Sequence, residues 1–152
     1  DNTDGTKQGR KRAVKVMVMD GQGGGLGRQL VGAIKAKRPD VTLLAVGTNS
    51  AATTAMLRAG ADQAATGENA VVVGSRSADA IVGPVGIVIA DAMLGEITPQ
   101  MAVTVGQSQA GRVLIPVSQC DNIVAGAQGQ PMAKLVQSAV AALEQLGACP
   151  QQ

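Results

Sequence analysis

The chain has 152 residues, a net charge of +2, and no Phe, Trp, Tyr or His. That length fits one domain, with a core that must here be aliphatic, because domains usually run to roughly 100–150 residues. The absent side chains exclude a Ser-His-Asp triad, a Cys-His dyad, a histidine zinc site and a Tyr general acid within the chain, and equally aromatic cages and base-stacking platforms for single-stranded nucleic acid.

The first predicted element is a strand over Ala13–Asp20 (AVKVMVMD), whose nearly unbroken Val and Met content suits burial on both faces of a parallel sheet. Residues 21–27, GQGGGLG, lead into a helix with Leu26, Leu30, Val31 and Ile34 on one face. It ends near Arg38, because Pro39 disfavours helix at the residue before it. Val41–Gly47 reads as a second strand, and Asn49 or Ser50 caps a helix over 51–59 that Gly60 stops. Gln63–Ala65 reads as a short strand, Glu68–Gly74 as either helix or strand, and Ala78–Val82 as a buried strand closed by Gly83-Pro84. Residues 85–97 are apolar and of no clear type. Thr98-Pro99 marks a helix start, running to about Gln109. Arg112–Val117 reads as a strand whose Pro116 argues for an end or edge position. Asn122–Ala125 reads as a last short strand. Pro131 opens a final helix with Leu135, Val136, Ala139, Val140, Leu143 and Leu146 at helical spacing, ended by Gly147 and Pro150. Strands alternating with helices at these lengths predict an α/β fold with a mostly parallel sheet: one domain over 13–147, between a disordered basic tail at 1–12 and a short tail at 148–152.

Lys7, Arg10, Lys11 and Arg12 outweigh Asp1 and Asp4 in the tail, which leaves residues 13–152 with nine basic and nine acidic side chains. A balanced body lacks the basic face that nucleic-acid binding needs, so nucleic acid is not an expected partner. Cys120 and Cys149 stand 29 positions apart without a C-x-x-C pair, which points to free thiols in a reducing cytoplasm. The start is polar and reads as no signal peptide. The longest apolar stretch, between Asp79 and Asp91, has 11 residues broken by two Gly and one Pro, too short to span a bilayer, so no membrane is expected either.

The strongest chemical signal is DGQGGGLGRQ, residues 20–29, with five glycines between positions 21 and 27. It follows a buried strand and opens an amphipathic helix, the context in which backbone N–H groups and a helix N-terminus hold phosphate. Gly21, Gly23 and Gly27 are spaced one residue longer than the usual dinucleotide fingerprint, with Gln22, Gly24, Gly25 and Leu26 between them. A Walker A loop is excluded, since Gln22 stands where its first Gly belongs and Arg28-Gln29 replaces Lys-Ser/Thr. Arg28 in the first helical turn opposes the helix dipole unless it meets an anion, and equally reads as a solvated side chain. Asp20 would repel a phosphate. It reads first as a structural acceptor for loop amides, and second as a holder of a cation or ribose hydroxyl. A tight turn without ligand is the plain alternative for the whole loop.

In an open parallel sheet, ligands lie at the carboxyl ends of the strands. The second strand ends in Gly47-Thr48-Asn49, without the acidic residue that usually holds ribose hydroxyls. Thr48 and Asn49 are candidates for ribose or phosphate, and equally for capping a helix. Thr66, Gly67, Glu68 and Asn69 form a polar turn, with Glu68 read first as a helix-start carboxylate. Gly83-Pro84 ends another strand with a rigid loop of the kind that lines nucleotide pockets. Asp91 and Glu96 can face the cleft, though no spacing rule supports them as a catalytic pair.

Together, DGQGGGLGRQ (20–29), AVGTNSAATTAMLRAGA (45–61), ATGENAVVV (65–73), GPVGIVIADAMLGEITPQM (83–101) and VLIPV (113–117) resemble a bacterial family of small Rossmann-like proteins, a domain of unknown function. The resemblance covers nearly all of 13–147 and leaves out the tail and much of 118–130. It implies a single-domain, three-layer Rossmann-like fold. It also implies that the Gly-rich turn, GTN, TGEN and GP-x-G are parts of one site. It carries over no catalytic residue.

Three functions follow as expectations. The first is a nucleotide- or dinucleotide-binding module for a phosphate-bearing small molecule, NAD(P) or another nucleotide. The second is an NAD(P)-dependent oxidoreductase, for which nothing nominates the acid. The third is a structural homo-oligomer using the apolar stretch 80–97.

Overall fold

The computed structural model describes residues 13–117 and 122–146. The two tails, both cysteines and the helix stop at Gly147 and Pro150 lie outside the described residues.

Five parallel strands form one sheet in the order β3-β2-β1-β4-β5: β1 Lys15–Asp20, β2 Thr42–Gly47, β3 Gln63–Thr66, β4 Ala80–Pro84 and β5 Gly111–Ile115. The connecting helices are α1 Gly25–Lys37, α2 Ser50–Arg58, α3 Glu68–Ser77 and α4 Pro99–Gln107, and α5 Met132–Leu146 follows β5. Alternation along β1 divides the core. Val16 and Val18 pack with Leu30, Val31 and Ile34 of α1, Met56 of α2 and Val136 and Val140 of α5. Met17 and Met19 face the other layer, with Val71 of α3 and Met101 and Val105 of α4. The result is three layers, helix on sheet on helix. Each fully buried Val, Leu, Ile or Met contributes about 1.5–3 kcal/mol, which is how a core without rings is sustained.

The structure decides the segments left open by the sequence, bears out the end-and-edge position argued from Pro116, and corrects other expectations. Residues 68–77 are helix, entered through Gly67 at φ 102°. β4 runs on through Gly83 and Pro84 instead of closing before them. β5 stops at Ile115, before Pro116, on the edge of the sheet. Residues 122–125 are not a strand: Asn122 makes a single bridge, and the chain turns away at Gly126, φ 85°. Residues 85–97 consist of a 3₁₀ turn, Val85–Val88, followed by a run of turns.

Register places the site. Asp20 stands beside Gly47, and Gly47 beside Thr66, so three strand ends align in one row. Pairing of β1 with β4 stops at Val18–Val82, two residues short of Asp20. Chain direction across the sheet reverses between these two central strands, and their separated ends open a crevice at that switch point.

Candidate functional site

Asp20 is 5 % exposed and bridges the two ends of the glycine-rich turn. Its Oδ1 accepts from the Gly21 N–H at 2.8 Å and its Oδ2 from the Gly27 N–H at 2.7 Å. Gly24 N–H donates to the Gly21 carbonyl at 2.9 Å and closes the turn. Burial pushes the Asp20 carboxyl above its ordinary value; the amides of Gly27 and Gly21 pull it back, and the charge of Glu96 adds to the rise. The carboxylate is thus a structural acceptor for loop amides, its two oxygens committed to the turn.

The five glycines divide into two groups. A Cβ on Gly21 would meet Thr48 Oγ1 at 2.6 Å and Met93 Sδ at 2.8 Å; on Gly24, Ala52 Cα at 2.8 Å; on Gly27, Met56 Sδ at 2.6 Å and Asp20 Cβ at 2.8 Å. Gly24 also has φ 72°. Packing therefore demands glycine at 21, 24 and 27. At Gly23 and Gly25 a Cβ would meet nothing within 4 Å, and neither has a positive φ. The fold itself does not require glycine at these two exposed positions. Beside them, α1 starts from Gly24, which has no side chain to cap it, and has no acidic residue in its first turn; the Asp20 carboxylate takes the Gly27 N–H from outside the helix. Arg28 and Gln29 are exposed on that turn.

Across the turn lies a strap, residues 89–97. Four of its residues have left-handed backbone: Asp91 (φ 67°), Met93 (58°), Leu94 (56°) and Gly95 (88°). For the three that are not glycine this costs about 1–2 kcal/mol each. The strap is held from within by Asp91 N–H to the Ile97 carbonyl (2.8 Å) and Gly95 N–H to the Asp91 carbonyl (3.0 Å). Met93 and Ile97 are buried, whereas Leu94 is 94 % exposed. The strap delivers Glu96 to the turn. Its Oε1 accepts from Asn49 Nδ2 at 2.6 Å, Thr48 Oγ1 at 2.7 Å and the Gln22 N–H at 3.0 Å. Burial pushes this carboxyl up, but the three donors outweigh it and hold it below its ordinary value. Glu96 was legible in sequence only as a group able to face the cleft; its place on MLGEITP, a motif of the resemblance, was the available signal.

The remaining predicted residues are distributed unevenly. Asn49 caps α2 through Oδ1, which accepts from Ala52 N–H at 2.9 Å, and donates through Nδ2 to the Gln22 carbonyl at 2.9 Å. Thr66 Oγ1 lies 2.7 Å from Thr53 Oγ1. Gly67 N–H donates to the Gly47 carbonyl at 2.9 Å. Glu68 Oε2 accepts from Thr98 Oγ1 at 2.5 Å, and Thr98 Oγ1 caps α4 by accepting from Met101 N–H at 3.1 Å. Asn69 is exposed. Gly83 is required by the Met19 carbonyl, 2.4 Å from where its Cβ would lie. The GTN segment thus adjoins the Gly-rich turn, while Thr66, Glu68 and Asn69 do not line the hollow beside it.

That hollow, about 170 Å³, is lined by Asp20, the turn from Gly21 to Leu26, Pro84, Met93, Val117 and Met132. Met93, Val117 and Met132 are lining residues that sequence reasoning missed. Larger grooves of about 510 and 500 Å³ lie elsewhere, between α1 and α5 and at the opposite end of the sheet. Among the described residues, no group of three or more His, Cys, Asp or Glu could hold a metal ion, and no helix is long and apolar enough to cross a membrane.

An all-parallel sheet wound in both directions from β1, with a glycine-rich turn between its first strand and first helix, defines a Rossmann-like α/β domain. The chain belongs to the family described as "Domain of unknown function (DUF3842)", whose profile matches residues 15–147. Among solved structures, it is similar to a dodecameric FMN-dependent UbiX-like decarboxylase from Escherichia coli O157:H7, at 20% identity and TM-score 0.43, over 88% of this chain and 76% of that one. It is also similar to a nucleoside-diphosphate-sugar epimerase from Pseudomonas aeruginosa, at 9% identity and TM-score 0.43, over 88% of this chain and 47% of that one. Nothing among curated proteins matches.

Proposed function

We propose that the chain binds a phosphate-bearing small molecule, a nucleotide or dinucleotide, with the phosphate over Gly23, Gly25 and the N-terminus of α1. The observation that carries this is the open space at Gly23 and Gly25. Gly25 opens α1 and Gly23 precedes it, and no neighbouring atom excludes a methyl at either position. A ligand that approaches the backbone closely supplies the missing reason. Asp20 takes the Gly27 N–H at the start of α1; the Gly25 and Leu26 N–H groups of that first turn are the donors offered to the ligand, at the positive end of the helix dipole.

The hollow of about 170 Å³ is smaller than the roughly 300–1,000 Å³ of pockets that enclose a drug-sized ligand. It accommodates a phosphate and its nearest substituents; a base or a second nucleotide would lie outside it. No carboxylate stands free at the end of β2 for ribose hydroxyls, because Thr48 and Asn49 follow it and both donate to Glu96. NAD(P) therefore remains a ligand to screen and not the one the geometry singles out.

The test is a thermal-shift screen with NAD, NADP, FAD, CoA and ATP, repeated on Gly23→Ala and Gly25→Ala. At least one ligand is expected to raise the Tm of the native chain and to do so much less in the variants. Absence of stabilisation by all five at millimolar concentration overturns the reading.

A further inference from the structure

We infer that the Gln22 N–H, Thr48 Oγ1–H and Asn49 Nδ2–H form a second anion subsite beside the glycine-rich turn, occupied by Glu96 and available to an acidic group of the ligand, a phosphate or carboxylate, when the strap lifts. The inference rests on the phosphate reading of the turn, which it extends to a ligand with two acidic groups.

Three donors from two separate segments converge on a single carboxylate oxygen, Glu96 Oε1, within 2.6–3.0 Å. Such convergence on one point is how proteins hold an oxyanion, and hydrogen bonds to an ionised acceptor are roughly twice as strong as neutral ones. Here the anion comes from the chain itself. Asn49 is anchored independently, since its Oδ1 caps α2 and its Nδ2 also reaches the Gln22 carbonyl. Two of the donors therefore keep their place without Glu96.

The resident anion sits on the segment whose backbone is most strained, with Asp91, Met93 and Leu94 all left-handed. A rearrangement within residues 91–95 that released these dihedrals would offset part of the loss of the three hydrogen bonds. The same movement withdraws Met93, which lines the hollow over the turn and packs against Gly21. Displacing Glu96 therefore joins the hollow and the subsite into one larger cleft.

Backbone-amide and side-chain-amide NMR of the ¹⁵N-labelled full chain, titrated with inorganic phosphate, separates the two claims. In the native chain, phosphate should shift Gly23, Gly25 and Leu26. In Glu96→Ala it should additionally shift Gln22, Thr48 and the Asn49 side-chain amide, with a Kd lower by about tenfold, the scale of removing a competing charged hydrogen-bond acceptor. Thr48→Val added to Glu96→Ala should reverse most of that gain. Shifts at the turn with the same Kd in both proteins and silence at Gln22, Thr48 and Asn49 overturn the subsite and leave the turn standing. New shifts at the subsite with a silent turn do the reverse, and silence everywhere overturns both. Should Glu96→Ala not fold, Glu96→Ser is the reading variant: its side chain is too short to reach the three donors, and silence of Gln22, Thr48 and the Asn49 side-chain amide under phosphate in it overturns the subsite.

Discussion

Glu96 Oε1 accepts from Asn49 Nδ2 at 2.6 Å across 47 positions of sequence. The contact joins the strap after β4 to the start of α2, and through the Gln22 amide to the turn after β1. One carboxylate thereby links three strand ends' worth of loops. Replacing Glu96 by Ala leaves three donors without their acceptor, and each such loss costs about 1–3 kcal/mol where the donor stays dry and less where water replaces the oxygen. Urea unfolding should show destabilisation of about 1–3 kcal/mol; a change within experimental error contradicts the role.

The same carboxyl makes acid sensitivity predictable in sign. Its hydrogen bonds hold it below its ordinary 4.5 in the folded chain. Its contribution to stability is therefore fully present above that value and is lost as pH falls through the lowered one. Asp20 works in the opposite sense. Burial raises it above 3.8, so its ionisation favours the unfolded chain, and that penalty disappears as pH falls. The stability gap between the native chain and Glu96→Gln should be widest above pH 4.5 and should narrow on acidification. A gap that widens in acid contradicts the assignment.

The glycines offer a sharper division. Gly23→Ala and Gly25→Ala should leave the free protein as stable or stabilise it by about 0.4–1 kcal/mol, because each reduces the freedom of the unfolded chain without meeting any atom. Both should weaken phosphate binding. Gly24→Ala should destabilise by more than 1 kcal/mol, since it combines φ 72° with a methyl 2.8 Å from the Ala52 Cα. Melting temperatures of the three variants, with and without ligand, check the contrast.

Asp20→Asn tests the carboxylate's double attachment. Asn offers one acceptor oxygen where two N–H groups, of Gly21 and Gly27, need one each. The buried amide left over costs about 1–3 kcal/mol. Hydrogen exchange at Gly27 should accelerate relative to Leu30 of the same helix; equal protection of Gly27 in both proteins would count against the bridge.

Thr98→Ala removes the cap of α4 and the partner of Glu68 together. A lost Thr cap costs typically about 1 kcal/mol. Glu68→Ala in the exposed turn should cost well under that, as exposed polar contacts are worth little. A double-mutant cycle by urea unfolding should therefore place most of the loss on the cap.

The elements best determined by sequence are those whose signal is local. Residues 16–19 alternate into two apolar layers because side chains along a strand point to opposite faces. Thr98-Pro99 and Asn49-Ser50 announce helix starts because capping involves only three or four consecutive residues. The glycine-rich turn is legible for the same reason. Residues 68–74 were ambiguous in sequence, since Ala-Val-Val-Val suits either geometry; packing of Val71 and Gly74 on β1 and β2 decides for helix.

By itself, then, the sequence determined an aliphatic α/β domain with a glycine-rich turn after its first strand, and it excluded chemistry that needs aromatic or imidazole side chains of this chain. Only the tertiary structure decided which glycines the protein needs for its own packing and which it leaves open. It alone brought Glu96 onto Thr48 and Asn49. Those outcomes depend on pairs such as Gly21 with Thr48 and Gln22 with Glu96, 27 and 74 positions apart, meeting within 4 Å, a matter of how strands order in the sheet and where their pairing ends, and no local pattern of residues encodes it.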